Sequence, residues 1–576
     1  MNCGSIVLDC EHFALWMAYI HQGLLIFDNR MNIALNFADR QLSRDELVAR
    51  ARRVASGFLA LGASEERPVA LVLRNDFAFF EASTACRLAG ICTVPVNWHL
   101  TSAELAYVLR DCAAKIVVAH ADLLERVLPV LPEDASLIVV PTPTVLTSTV
   151  PMSKVPMSKV SAQTTGQTTG QTTGQMAATV ASSDGKSSLH GKNGKNGGNW
   201  EDWEDWLEHQ TPFTGTADPA GSTMLYTSGT TGNPKGVRRM PLSTSAQSVF
   251  FESVAQAFGI DRDARSLITG PLYHSSPLAH ANTTFALHGE QWLMQRFDAE
   301  QLLAMIEQHR ITHMHMVPTM FVRLLRLPKA VRERYDVSSV RCAIHGAAPC
   351  PVEVKKQMID WWGPVIREYY GSTEASVLTT LDSEDWLRHP GSVGPARPGV
   401  QLQIRDESGR PLPPGQEGEI WGRLDSAPTF TYQGRPDDRA KIERDGLLTN
   451  GDVGYLDEHG FLYICDRLRD MIISGGVNIY PAEIEGALLS HPEVADCAVF
   501  GIPDDEFGES IAAAVQRVDG ATVDERALGD FLRERLAGFK VPRELVFHDT
   551  LPRVDNGKIY KRRLREPYWL AAGRQI

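Results

Sequence analysis

The chain has 576 residues, 43% hydrophobic and 22% charged, with a formal net charge of −13. That length carries two or more globular domains, and the acidic balance speaks against wholesale nucleic-acid binding. Nine scattered cysteines with no CxxC pair point to reduced thiols in a cytoplasmic protein rather than to a disulfide framework or a cysteine metal site. The apolar run "FALWMAYI" at 13–20 is too short to span a bilayer and follows no basic leader. Residues 1–30 read as an N-terminal extension without an assignable role, and peripheral membrane contact stays open.

The folded pattern begins with Ser43 and Glu46, spaced as a capping box before "LVARARRVASGFLALG". Leu47, Val54, Phe58 and Leu61 then share one helical face, and Gly62 can end the helix. "VALVL" (69–73) reads as a buried strand, 77–89 as a helix and "ICTVPV" (91–96) as a strand. Thr101 and Glu104 open a second capped helix, and "KIVVA" (115–119) is the next strand. This αβαβ alternation predicts largely parallel sheets covered by helices. Residues 141–199 break the pattern with "PMSKVPMSKV", "QTTGQTTGQTTG" and "GKNGKNGG". Tandem repeats of small polar residues cannot bury enough surface to order themselves, so this span reads as a disordered insertion. "EDWEDW" (201–206) closes it.

From 222 the α/β pattern resumes, and "YTSGTTGNPKGV" (226–237) follows a β-prone run. Its glycines can turn backbone N–H groups inward, its hydroxyls add donors, and Lys235 adds a compact cation: together an anion site. It differs from GxxxxGK[ST], because Gly236 follows the lysine. Further on, "AEQLLAMIEQH" (299–309) is helical and "ITHMHMV" (311–317) a strand. His313 and His315 fall on one face of that strand, where packed or hydrogen-bonded histidines are a better reading than a metal pair without a third ligand. After 470 the pattern shifts to short helices and strands, a small α+β domain.

Four further stretches place polar chemistry at strand ends: "HGAAPCP" (345–351), "YYGSTEAS" (369–376), "LLTNGDVGYLDEHGFLYICDRLRD" (447–470) and "LPRVDNGKIYK" (551–561). In this order, with "DRLRDMIISGGVNIYP", they resemble the adenylate-forming superfamily of acyl-CoA synthetases, luciferases and nonribosomal-peptide adenylation domains. The resemblance covers about 35–570 apart from the insertion. It implies a large N-terminal domain over 31–468 and a small one over 469–576 that rotates about a hinge near Arg469. The family usually has Asp or Lys at that hinge position.

The resemblance also implies a two-step reaction. A carboxylate attacks the α-phosphate of ATP to give acyl-AMP and pyrophosphate, and the thiol of coenzyme A then displaces AMP. Carried over by position, Thr227, Ser228, Gly229, Thr230, Thr231, Gly232 and Lys235 match the phosphate loop. Glu374 matches the Mg²⁺ ligand and Thr373 a contact to the α-phosphate. Gly346, Ala347, Ala348, Tyr370 and Gly371 match the adenine slot. Asp452 matches the carboxylate on the ribose hydroxyls, and Arg467 its partner. Lys558 matches the adenylation lysine and His274 an aromatic position beside the substrate carboxylate. Gly475, Gly476 and Tyr480 match the loop that lines the path of the coenzyme A thiol, and Lys561 with the following arginines is a candidate for its phosphates. The segment from His313 matches the acyl-pocket wall, which makes Met316 and Met320 candidate lining residues for a hydrophobic acid. An aryl or polycyclic acid is an alternative. So is a stand-alone acyl-AMP ligase that loads a carrier protein. Luciferase-like oxygenation ranks below these, and the presence of Lys235, Glu374, Asp452 and Lys558 speaks against a catalytically dead binding protein.

Overall fold

The computed structural model describes residues 33–142, 191–192, 199–217, 220–227, 234–468, 470–474, 477–504, 507–553 and 559–572. The extension at 1–30, most of the 141–199 span, Ser228, Gly229, Thr230, Thr231, Gly232, Arg469, Gly475, Gly476 and Lys558 lie outside the described residues.

Local chemistry sets the first elements. The Ser43 hydroxyl accepts the Glu46 N–H at 3.1 Å and starts a helix at Arg44–Ala60. The Thr101–Glu104 pair forms both halves of a capping box on Ser102–Asp111. The Phe77–Ala89 and Ala299–His309 helices occupy the spans that their apolar spacing predicts.

Two helix-covered sheets form the body. One has eight strands in the order Ser376–Leu381, Ile366–Ser372, Cys342–His345, His313–Met316, Arg265–Ile268, Glu290–Leu293, Ile33–Phe37, Arg40–Ser43. Its pairings are parallel except at the two edges. The other runs Thr93–Pro95, Val69–Val72, Ile116–His120, Ser136–Val140, Asn199–Asp202, Gly191–Lys192. Gly191–Lys192 falls within the span read as a disordered insertion and Asn199–Asp202 starts at its last residue: Asn199–Asp202 joins the sheet in parallel beside Leu137–Val139, and Gly191–Lys192 pairs back on it. Buried Leu47, Val54, Phe58, Phe79, Trp203 and Phe285 belong to one apolar cluster in this body.

Two smaller antiparallel sheets complete the large unit. One has three strands, Phe430–Tyr432, Lys235–Arg239 and Met224–Thr227. The other runs Ser392–Pro395, Phe461–Arg467, Leu447–Leu456, Gly418–Leu424, Val400–Arg405. Beyond 470, a five-stranded sheet is built on the long Val494–Asp504 and Gly508–Arg517 pair, with helices Pro481–Leu489 and Glu525–Arg533 and its own apolar cluster around Ile484, Val499 and Leu528. This small α+β unit touches the large one where the Arg326 guanidinium donates to the carbonyls of Val494 and Ala495, and where Tyr480 OH donates to Glu417 at 2.8 Å.

Candidate active site

The Ile366–Ser372 strand is the spine of the site. Tyr370 near its end donates its hydroxyl to Asp452 Oδ2 at 2.8 Å, across 82 residues of sequence. Asp452 lies opposite Arg467 in the Leu447–Leu456/Phe461–Arg467 hairpin, and Arg467 Nε stands 3.2 Å from Asp452 Oδ1. Both carboxylate oxygens are therefore oriented. Burial, then the Asp452 charge, pushes the Tyr370 hydroxyl well above its ordinary range, so it remains a donor.

Past that strand the chain turns through Thr373 and Glu374 into the antiparallel Ser376–Leu381 strand. The turn is tight: a Cβ on Gly371 would meet the Ser376 carbonyl at 2.0 Å, so only glycine fits. Thr373 donates its hydroxyl to Ser275 Oγ at 3.2 Å. Ser275 is the first residue of the Ser275–Ala286 helix, and His274 is its N-cap residue. That contact brings the His274 segment to Thr373. The Thr373 carbonyl accepts from Arg239 at 3.0 Å.

Glu374 and Lys235 meet through a residue the motifs did not flag. Tyr432 donates its hydroxyl to Glu374 Oε1 at 3.0 Å, and its ring centroid lies 5.1 Å from Lys235 Nζ. Lys235 and Tyr432 stand on neighbouring strands of the three-stranded sheet. Lys235 Nζ also pairs with Asp438 Oδ2 at 3.0 Å. Burial, then the Glu374 charge, raises the Tyr432 hydroxyl, while burial lowers Arg239 against the opposing pull of Glu374. Ser275, Tyr432, Asp438 and Arg239 were invisible to motif reading because each is single and each meets its partner across a long loop.

On the strand's other flank, the "HGAAPCP" turn joins Cys342–His345 to the Val352–Trp362 helix. A Cβ on Gly346 would meet the Tyr369 ring at 2.5 Å, and Ala347 has φ +66°. A non-glycine residue in this left-handed region is uncommon and marks a backbone held by its surroundings. Thr227, at the near end of the phosphate-loop sequence, donates its hydroxyl to the Lys235 carbonyl at 3.5 Å.

Two expectations need correction. Met316 is sealed in a core, while Met320 is only partly covered. Met316 is fully buried in the apolar cluster with Leu302, Ile306 and Phe321, and Met320 packs against the same cluster. The two-residue strand period sends Met314 and Met316 to that face and His313 and His315 to the other. There His315 Nε2 is hydrogen-bonded to Tyr369 OH at 3.0 Å, and His313 Nε2 lies 3.0 Å from the Gly259 carbonyl. Lys561 is not an outward basic group: its ammonium pairs with Glu485 at 2.8 Å. Tyr480 is placed on the small unit and meets Glu417 rather than any of the residues above.

A carboxylate oxygen held as Glu374 is suits a hard cation such as Mg²⁺. Among the described residues no cluster of three His, Cys, Asp or Glu side chains stands ready to bind a metal unaided. Phosphate oxygens and water would complete the shell. Among the described residues no helix is long and apolar enough to cross a membrane.

The family model described as AMP-binding enzyme matches residues 28–426, and that of the AMP-binding enzyme C-terminal domain matches 483–558. A feruloyl-CoA synthase from an Amycolatopsis species is 31% identical over 541 residues, 93% of this chain and 96% of that one. The fatty acid–[acyl-carrier-protein] ligase ScoC of Streptomyces coeruleorubidus is 29% identical over 553 residues, 93% of each chain. The crystal structure of ATP-bound MatB from Rhodopseudomonas palustris matches with a TM-score of 0.76 at 28% identity, covering 97% of this chain and 99% of that one.

Proposed function

The chain belongs to the AMP-binding enzyme family, and on that premise we propose that it is an ATP-dependent, AMP-forming acid–coenzyme A ligase acting on an aryl acid. The observation that supports this reading is the convergence on one strand end of two polar sets, Lys235–Tyr432–Glu374 and Tyr370–Asp452–Arg467. The first set offers a cation and a hard carboxylate oxygen, the requirements of a triphosphate. The second offers an oriented carboxylate acceptor, the requirement of a ribose diol.

In this reading Lys235 and the 227–232 loop hold the phosphates. Glu374 would hold Mg²⁺, which when bound neutralises phosphate charge. Thr373, fixed by Ser275, lies at the α-phosphate, and Asp452 accepts from the ribose hydroxyls. Gly346, Ala347, Ala348, Tyr370 and Gly371 form the adenine slot. His274 stands beside the substrate carboxylate, whose oxygen attacks the α-phosphate and expels pyrophosphate. Lys558 stabilises the charge that develops there. The small unit, taken as 469–576, then turns about Arg469. Gly475, Gly476 and Tyr480 line the route by which the thiol of coenzyme A displaces AMP.

The strand face opposite the methionines is filled as well: His315 and Tyr369 are buried against Phe258. Burial, then the charge at His274, lowers His315 to about 3, so its imidazole is neutral at physiological pH. What supports an aryl acid is the similarity to a feruloyl-CoA synthase. The test is pyrophosphate release and thioester formation over a panel of hydroxycinnamic, benzoic and C6–C16 alkanoic acids, with and without coenzyme A. Hydroxycinnamates should lead in kcat/KM, and thioester should require coenzyme A. A preference for alkanoic acids, or transfer only to a carrier protein, would overturn the proposal.

A further inference from the structure

Lys235 is held in this structure by a carboxylate that none of the roles above uses. Its ammonium lies 3.0 Å from Asp438 Oδ2, with both side chains largely covered, at 17% and 16% exposure. Asp438 has a second cation: its Oδ1 accepts from Lys441 Nζ at 2.6 Å, and that lysine is 71% exposed. The backbones on both sides are anchored. Lys235 begins a strand paired with Met224–Thr227 on one edge and Phe430–Tyr432 on the other. Asp438 sits on the short Pro436–Ala440 helix just beyond that second strand. Any exchange of partners is therefore a swing of the lysine side chain, over the Tyr432 ring that already carries it.

We infer that Asp438 is an exchange counter-ion for Lys235, a positioning residue that holds the lysine while the phosphate site is empty and takes it back as pyrophosphate leaves. The electrostatics require some such partner. A triphosphate drawn to Lys235 also approaches the Asp438 charge, and like charges a few ångströms apart at a protein surface are costly. Lys441 lowers that cost by keeping the carboxylate compensated once Lys235 has gone over to phosphate. After the α–β bond breaks, the same carboxylate competes with pyrophosphate for Lys235 and weakens its hold. The pair thus lowers affinity for phosphate ligands on both sides of the first half-reaction. The inference rests on Lys235 acting as the phosphate cation of the proposed ligase.

Asp438→Asn removes the competitor and its negative charge. Both the KM for ATP and the inhibition constant for added pyrophosphate should fall, by about tenfold, from the combined loss of a part-exposed ion pair and a like charge beside the polyphosphate. Simple structural damage would raise both constants, so a rise or no change overturns the inference. Asp438→Glu should return both constants toward the wild-type values, and failure to do so also counts against it. Should the Asn variant be unfolded, Lys441→Met serves instead. An uncompensated Asp438 grips Lys235 harder, so both constants should rise, and a fall or no change is the contrary result. Lys235→Ala separates the two levels. Unchanged ATP binding in that variant sinks the reading of Lys235 itself, whereas weakened ATP binding together with an inert Asp438→Asn sinks only the exchange.

Discussion

The Tyr432 hydroxyl donates to Glu374 Oε1 at 3.0 Å, joining two residues that no short motif connects. The bond fixes which way the carboxylate points, and partners of this kind set how well a ligating group binds its ion. Tyr432→Phe should raise the Mg²⁺ concentration needed for half-maximal pyrophosphate release by about tenfold. A magnesium titration of the first half-reaction checks this, and an unchanged midpoint would separate Tyr432 from the metal role of Glu374.

Asp452 is held on both oxygens by Tyr370 and Arg467. A site built to accept from hydroxyls discriminates against a ligand lacking them, because the carboxylate is left unpaired. The wild-type enzyme should therefore use ATP well ahead of 2′-deoxy-ATP. Asp452→Asn should raise the KM for ATP by roughly 10- to 100-fold and erase most of that preference. Retained discrimination in the variant would place the ribose elsewhere.

Lys558 is assigned by motif alone. Lys558→Ala should slow acyl-AMP formation by about 10²-fold or more, the usual scale for losing a transition-state charge contact. Thioester formation from supplied acyl-AMP should be far less affected. Equal losses in the two half-reactions would argue against separate arrangements of the small unit for each step.

The buried histidines give a pH dependence with a defined sign. Burial, then the charge at His274, lowers His315 from 6.5 to about 3. Burial also lowers His313 to about 4 and His280 well below its ordinary value. In the unfolded chain each takes up a proton near 6.5, and in the folded chain only at much lower pH. Between those values the unfolded state binds more protons, so stability should fall as pH drops from about 6.5 toward 3. His315→Gln should flatten that slope in denaturant titrations run at several pH values. A slope identical to wild type would mean that this histidine is not buried neutral.

How far the chain could be read without its structure follows from the range of the interactions. Helix limits at Phe77–Ala89 and Ala299–His309, the cap at Thr101 and the order of the polar motifs were legible because they depend on neighbours within a few residues. Asp452 and Arg467, and Thr373 and Glu374, were legible as members of local patterns. The strand period at 313–316 was legible too, but not that both of its faces are filled. Only the packing of the Ala299–His309 and Val352–Trp362 helices on that sheet sends Met316 into a closed core and leaves His315 against Tyr369. The same holds for Gly191–Lys192 and Asn199–Asp202, where sheet pairing supplies the hydrogen bonds that polar repeats lack locally. Tyr432, Asp438 and Ser275 belong to this second kind. Each meets its partner across a distant pairing of strands or helices, and a hydrogen bond or ion pair made that way leaves no trace in the spacing of residues along the chain.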